Sequence, residues 1–190
     1  MTNVFNIFNP LVANNARPND QDRFDCNNDA CDLAGRIFQI VNEYRTSIKK
    51  PALIFLSSMS ALAQRHSKYL AEHDIRDGDW AHVDWSAKTP SSGTRRNTID
   101  RHDEILQLPQ RFSAAAENNG TGDLATAQLE LLAYHPEIAE IFLREWLAST
   151  KGHRETIEDN YTHSGIAVTI RPMPEAGDRS LIFVTQHFAK

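Results

Sequence analysis

Residues 146–154 place a histidine directly after the end of an amphipathic segment. Apolar residues recur before it at three- and four-residue steps, which predicts a helix that buries Ile138, Ile141, Phe142 and Trp146. Gly152 marks a turn after this helix, and His153 follows the turn, at a boundary where functional side chains collect. An imidazole in such a place can act as a base or bind a metal ion.

Ser149 lies four residues before His153, a spacing that suggests a nucleophile and its base. The helix is expected to end between them, and the chain lacks the Gly-x-Ser-x-Gly turn of serine hydrolases. We therefore predict that the Ser149 hydroxyl bonds a backbone group near the helix end. Arg154 can pair with Glu155 or Glu158, although a solvated arginine is the simpler interpretation.

Two further pairs of metal-binding residue types occur earlier in the chain. His66 and His73 share one face of a helical segment, but two turns separate them by about 10 Å, too far for one ion. We expect His66 to be a buried core histidine. Cys26 and Cys31 are the only cysteines. They can close a small disulfide loop or remain two thiols, and both alternatives stay open.

The composition is typical of one soluble globular domain. The chain has 190 residues, 41% of them hydrophobic, and no apolar run of transmembrane length. A net charge of -5 would repel a phosphate backbone, so no nucleic-acid partner is expected. Residues 1–8 lack the basic and apolar regions of a secretory signal. Either the protein is not exported by that route, or its signal has been removed.

Helical periodicity and capping residues predict four core helices after an irregular arm over residues 1–31. Their expected starts are, in order, Asp32, Ser57 or Ser58, Thr121 or Asp123, and Pro136. Their expected apolar faces include Ala34, Ile37, Val41 and Ile48, then Met59, Ala63, His66 and Leu70, then Leu124, Ala127 and Leu131, and finally Ile138 to Trp146.

Two β-rich runs, 165–170 and 181–188, close the chain, and the loop between them suits an antiparallel hairpin. Helices first and strands last, without strict alternation, predict an α+β domain over residues 32–190 with an antiparallel sheet. His163 and His187 lie beside these strands. Each can border a site or be an ordinary strand histidine on a half-exposed face.

The order of several short motifs resembles the CAP superfamily: cysteine-rich secretory, antigen 5 and pathogenesis-related proteins, with bacterial SCP-like domains as the nearest group. The motifs are Asn-Glu-Tyr-Arg at 42–45, Leu-Ala-Gln-Arg-His-Ser at 62–67, His82, Glu-Asn at 117–118, Trp-x-x-Ser with Gly-His-Arg at 146–154, Gly-Ile-Ala-Val at 165–168 and Val-Thr-Gln-His-Phe at 184–188. The resemblance covers residues 33–190. It implies a three-layer α-β-α sandwich with a central antiparallel sheet.

The resemblance also implies a cleft lined by two histidines and an acid, here His82, His153 and Glu117. That combination is the ligand set of an open zinc site with water as the fourth group. A simpler alternative is that Glu117 accepts hydrogen bonds from the two imidazoles and ties the loops to the core. Two positions depart from the family pattern: Ser149 replaces a second glutamate of eukaryotic members, and Asn119 replaces a common aliphatic residue. The disulfides of plant and animal members are absent as well.

Two functions follow from this resemblance. The one that we favour is a secreted binding module for a lipid, another small hydrophobic ligand or a protein partner, with a cleft that can hold a divalent metal such as Zn²⁺. The alternative is a metal-dependent peptidase or esterase with Glu117 as general base. The His-Glu-x-x-His motif of helical zinc proteases and the fourth acid are missing, so we expect binding rather than catalysis.

Overall fold

The computed structural model describes residues 28–76, 83–85, 95–125 and 137–190. The helices in these ranges are α1 (Asn28–Ser47), α2 (Ser57–Glu72), α3 (Thr98–Leu106), α4 (Glu137–Ala148) and α5 (His153–Glu158). The strands are β1 (Ile54–Phe55), β2 (Val83–Trp85), β3 (Arg95–Asn97), β4 (Ala115–Ala125), β5 (His163–Pro172) and β6 (Arg179–Ala189), with a 3-10 turn at Pro174–Ala176. The predictions for residues 1–27 of the arm, Cys26, His82, residues 126–134 and Pro136 fall outside the described residues; residues 28–31, which were assigned to the irregular arm, belong to α1.

Four of these strands form one sheet in the order β1, β5, β6, β4. The three long strands are antiparallel to one another, and β5 and β6 form the predicted hairpin. The two-residue strand β1 adds to β5 in parallel, which makes the sheet mixed. β2 and β3 form a separate antiparallel pair.

Alternate residues of β6 face two different cores. Ile182, Val184 and Phe188 pack with residues of α1 and α4 on one side of the sheet. Leu181 and Phe183 pack with the C-terminal part of α2 on the other side. Because side chains alternate along a strand, this pattern requires helices on both faces. The predicted α+β fold, a three-layer sandwich, is confirmed.

Helix α2 lies unusually close to the sheet. A Cβ added at Gly165 of β5 would come within 3.0 Å of the α2 backbone at Met59 and Ser60, nearer than real Cβ atoms come. The Ser60 hydroxyl donates to the Ile166 carbonyl. Further along, the hydroxyl of Thr169 lies 2.8 Å from Ser67 Oγ and 3.0 Å from Gln64 Nε2. These hydrogen bonds between α2 and β5 set the position of α2, and with it the position of His66.

Strand β4 occupies the residues at which a third helix was predicted to start. Thr121 and Asp123, the expected starts, pair with β6 across the sheet. The predicted start was wrong because the hydrogen bonds to β6 outweigh a helical apolar pattern there; the rest of that predicted helix lies outside the described residues. Gly120 and Gly122 leave room for the Phe142 ring to lie against the strand.

The other helix boundaries agree more closely with the sequence. α2 begins at Ser57 as predicted, although its capping residue is Leu56 and no side chain caps it, so the expected serine cap is wrong. α1 begins at Asn28, ahead of the predicted start at Asp32. Ile48 and Ile141 were expected on buried faces but are 37% and 38% exposed.

α1 is the longest described helix, at 20 residues. Neither it nor any other helix in the described ranges is long and apolar enough to cross a membrane. Cys31 lies near its start, is buried, and is disulfide-bonded. The alternative of a free thiol at Cys31 is therefore wrong.

Candidate functional site

Glu117 lies on β4 with its side chain wholly buried against α2. Its cross-strand partner is His187 of β6, whose Nε2 lies 3.0 Å from Glu117 Oε2. An ionised carboxylate only accepts hydrogen bonds, so this imidazole donates. The other oxygen, Oε1, accepts a hydrogen bond of 2.9 Å from the side-chain amide of Asn119. Both oxygens of the carboxylate therefore accept hydrogen bonds from groups in the protein interior.

These contacts belong to a larger group, here called the carboxylate cluster: Glu117, Asn119, Thr185, His187 and His66. The Thr185 hydroxyl donates to Asn119 Oδ1 over 2.8 Å. His66 of α2 places its Nε2 3.4 Å from Asn119 Nδ2 and 3.8 Å from Glu117 Oε1. Glu117 faces His187 and Asn119 faces Thr185 in successive cross-strand pairs, so the four sheet residues share one face.

The histidines of the carboxylate cluster were not assigned to a site from sequence. His66 is fully buried, which confirms the prediction of a core histidine. His187 is also fully buried, so the interpretation as a half-exposed strand histidine is wrong. Helical and strand periodicity can place both rings inward. Only the pairing of β4 with β6, and the packing of α2 on them, brings the rings to Glu117.

Asn118 connects the neighbouring position of β4 to His153. Its side-chain amide donates a hydrogen bond of 3.1 Å to the carbonyl oxygen of His153. His153 is half-buried and begins α5, a short helix that the sequence analysis did not predict. Gly152 precedes it with a φ of 91°, a conformation that glycine adopts without strain. Two of the predicted site residues, Glu117 and His153, are thus linked through Asn118.

Arg154 of the Gly-His-Arg motif forms an ion pair within α5. Its Nε lies 2.8 Å from Glu158 Oε1, the same oxygen that accepts the Tyr44 hydroxyl at 2.5 Å. Of the alternatives predicted for Arg154, the ion pair with Glu158 is therefore correct. The hydrogen bonds from Tyr44 and then Arg154 lower the pKa of Glu158, and the neighbouring Asp159 has its pKa lowered chiefly by Lys190.

We expect the stability of the α5 region to fall in acid. The pKa of Glu158 is lowered from its ordinary 4.5, so its contribution is complete well above that pH and is lost as the pH falls through the folded pKa. Urea unfolding from about pH 7 to about pH 3 should show a shallower loss for Glu158→Gln than for the wild type. Glu140→Gln, which removes an exposed carboxylate of α4, serves as the control. An unchanged pH dependence in Glu158→Gln would contradict this prediction.

Ser149 and Trp146 both have structural contacts at the C-terminal end of α4. The Ser149 hydroxyl oxygen accepts the backbone N–H of Lys151 at 3.1 Å, which confirms the predicted backbone contact. Trp146 is 2% exposed, and its indole N–H donates to the Asn119 carbonyl at 2.8 Å. That contact covers the outer edge of β4, where a backbone carbonyl would otherwise lack a strand partner.

The proposed metal ligands are only partly within the described structure. Glu117 and His153 lie on β4 and at the start of α5, whereas His82 lies outside the described residues. Among the residues that are described, no group of three histidine, cysteine, aspartate or glutamate side chains is arranged to hold a metal ion. The three-residue ligand set therefore stays a prediction.

Comparison with known proteins identifies relatives of this fold. The family model of the CAP, or cysteine-rich secretory protein, family matches residues 38–188. An extracellular protein of Bacillus anthracis that contains an SCP domain has a similar structure, with a TM-score of 0.52 and 22% identity over 85% of this chain. The chain covers 41% of that protein. An outer surface protein of Borrelia burgdorferi matches with a TM-score of 0.49 and 16% identity, over 81% of this chain and 89% of its own. No curated protein matches the chain.

Proposed function

Because the chain belongs to the CAP family, we propose that it is an extracellular binding module whose cleft takes a divalent cation through His82, Glu117 and His153. The partner in this proposal is a small hydrophobic ligand or another protein. The cation, for which Zn²⁺ is the best match to two imidazoles and a carboxylate, supplies a fixed positive centre with an open coordination position.

The observation that carries the proposal is the hydrogen bond from Asn118 to the His153 carbonyl. It ties the start of α5 to the residue next to Glu117, so two of the three proposed ligands come from segments that are joined directly. His153 is half-buried and remains accessible from the surface. The bond brings the start of α5 next to the edge strand β4. Because side chains alternate along a strand, Asn118 and Glu117 point to opposite faces of the sheet, so the proposed site lies around the edge of β4.

The Glu117 carboxylate accepts one hydrogen bond from Asn119 on Oε1 and one from His187 on Oε2. Ligating carboxylates are commonly held by such additional hydrogen bonds.

The proposal predicts zinc binding that depends on both histidines. Calorimetric titration with zinc chloride should give a saturable heat in the wild type, and His82→Ala and His153→Ala should each weaken binding by about 100-fold or more, since even indirect contacts to a metal are worth about 10–100-fold. His73→Ala, an exposed histidine at the end of α2, is the matched control and should bind as the wild type does. No heat in the wild type, or wild-type affinity in both cleft variants, would overturn the metal proposal.

Turnover assays with zinc present distinguish a binding module from a hydrolase. We expect no zinc-dependent turnover of unstructured peptides or simple esters. Cleavage that requires zinc and is abolished in Glu117→Gln would contradict this expectation and establish Glu117 as a general base.

A further inference from the structure

We propose that Asn118 of β4 and Gln186 of β6 form a binding site for one buried water molecule, which donates a hydrogen bond to the side-chain carbonyl of each residue. The two residues are a cross-strand pair. They lie on the face of the sheet that packs against α1 and α4, opposite to Glu117. The site therefore involves neither Glu117 nor His82, and it does not depend on a bound metal.

The side-chain carbonyl oxygens of this pair are buried acceptors. Asn118 and Gln186 are each 0% exposed. Within the part of the chain that the structure describes, no protein group donates to Asn118 Oδ1 or to Gln186 Oε1. Leaving a buried acceptor without a donor costs most of the free energy of desolvating it, so protein interiors supply a partner from the protein or from ordered water.

The contacts of the two amide nitrogens determine which atoms are left as acceptors. Asn118 Nδ2 donates to the His153 carbonyl at 3.1 Å, and because a carbonyl only accepts, this contact fixes the orientation of the Asn118 amide. Gln186 Nε2 lies 3.0 Å from Ser164 Oγ of β5. Each nitrogen thus has a partner of its own. The two oxygens cannot satisfy each other, since both are acceptors.

Water matches two neighbouring acceptors because its two O–H groups can donate to both. The Cβ atoms of a cross-strand pair lie about 4.5–5.5 Å apart. A water oxygen about 2.8 Å from each acceptor bridges two carbonyl oxygens that are up to roughly 5 Å apart. Buried waters commonly bind such otherwise unpartnered groups. A cation is a poorer match, because the pair offers only neutral oxygens and an unpaired charge is costly in the interior.

A high-resolution crystal structure of the wild-type protein is the direct test. We expect density for one water oxygen at about 2.5–3.0 Å from both Asn118 Oδ1 and Gln186 Oε1. Gln186→Met removes one acceptor and should lose this water. Gln64→Met is the matched control and should keep it, because Gln64 Nε2 also contacts a hydroxyl at 3.0 Å, that of Thr169, but on the α2 face of the sheet.

Urea unfolding gives a second, independent measurement. Asn118→Leu and Gln186→Met each remove one end of the bridge, and each should lower the folded-to-unfolded ratio by about tenfold or more. Because one water serves both residues, the double variant should lose less than the product of the two single losses. Asn118→Leu combined with Gln64→Met should give the full product, since those two residues share no partner.

Four results would show that the water site is wrong. The first is a wild-type crystal structure in which the Gln186 amide is reversed and its nitrogen donates directly to Asn118 Oδ1. The second is density that scatters anomalously after a thallium soak, which marks a monovalent cation. The third is no density between the two carbonyls, and the fourth is a full product of losses in the variant that combines Asn118→Leu with Gln186→Met.

Discussion

Replacing Arg45 with methionine should lower the free energy of unfolding by about 4 kcal/mol, because hydrogen bonds to a charged group contribute about 1.5–3 kcal/mol each and a buried carbonyl left without a donor costs about 1–3 kcal/mol. Arg45 is fully buried and donates to four backbone carbonyls. The acceptors are those of Pro51, Ile157, Asp159 and Tyr161, at 2.9, 2.5, 2.9 and 2.8 Å. Methionine fills the space but leaves these carbonyls without a donor.

The position of those carbonyls explains the size of the effect. Pro51 follows α1, Ile157 and Asp159 lie at the end of α5, and Tyr161 precedes β5. One guanidinium therefore joins segments that are far apart in sequence, and its planar fork provides donors in several directions. Burial lowers the pKa of Arg45, and the charge of Asp159 opposes that change.

Urea unfolding measures the prediction directly. Arg45→Lys should lose most of the same stability, because a single ammonium cannot reach all four carbonyls. Arg144→Met on the exposed face of α4, where the side chain is 64% exposed, is the control and should change stability by less than about 0.5 kcal/mol. A loss below about 1 kcal/mol in Arg45→Met would mean that water replaces the guanidinium at these carbonyls.

Gly165→Ala should lower the free energy of unfolding by about 3 kcal/mol or more, at the upper end of the cost of overpacking. The added Cβ would meet the backbone of α2 at Ser60 and Met59. Backbone atoms within a helix cannot rotate away as a flexible side chain can, so α2 must move outward as a unit. That movement would also pull Ser60 from the Ile166 carbonyl and His66 from Asn119.

Gly122→Ala offers a matched comparison for this substitution. Its added Cβ would meet the ring of Phe142, with Cζ nearest at 3.1 Å, and an aromatic side chain can shift by a few tenths of an ångström. We expect a loss within about 1 kcal/mol, measured by urea unfolding beside Gly165→Ala. Equal losses in the two variants would contradict the explanation based on the α2 backbone.

Local patterns predicted the elements that have a clear amphipathic period. The stripes of α1, α2 and α4 and the closing hairpin were identified because one buried face leaves a regular mark in the sequence. β4 left no such mark, since its residues 115–125 mix alanine, polar groups and glycine. Its strand form depends on β6, which is more than fifty residues away and supplies the cross-strand hydrogen bonds.

The residues of the candidate site, like the strands and helices, were only partly predictable from the sequence. Motif order drew attention to Glu117 and His153, and the structure links them through Asn118. One alternative from the sequence was that Glu117 accepts hydrogen bonds from two imidazoles, those of His82 and His153. In the described structure His187 holds one oxygen, and His66 lies nearby. Sequence distance gives no indication of such neighbours, because they come from a strand and a helix on opposite ends of the chain.

The helix end at residues 146–154 has features that the local sequence determines and contacts that only the tertiary structure decides. The sequence by itself determined that Trp146 is buried, that the helix stops before Gly152 and that Ser149 bonds the backbone, since each depends on nearby residues. The tertiary structure alone decided that β4 is a strand, that Asn118 reaches the His153 carbonyl and that Glu117 is held by Asn119 and His187. Those features require strand register and helix packing, which arise from contacts between distant segments and leave no local period to read.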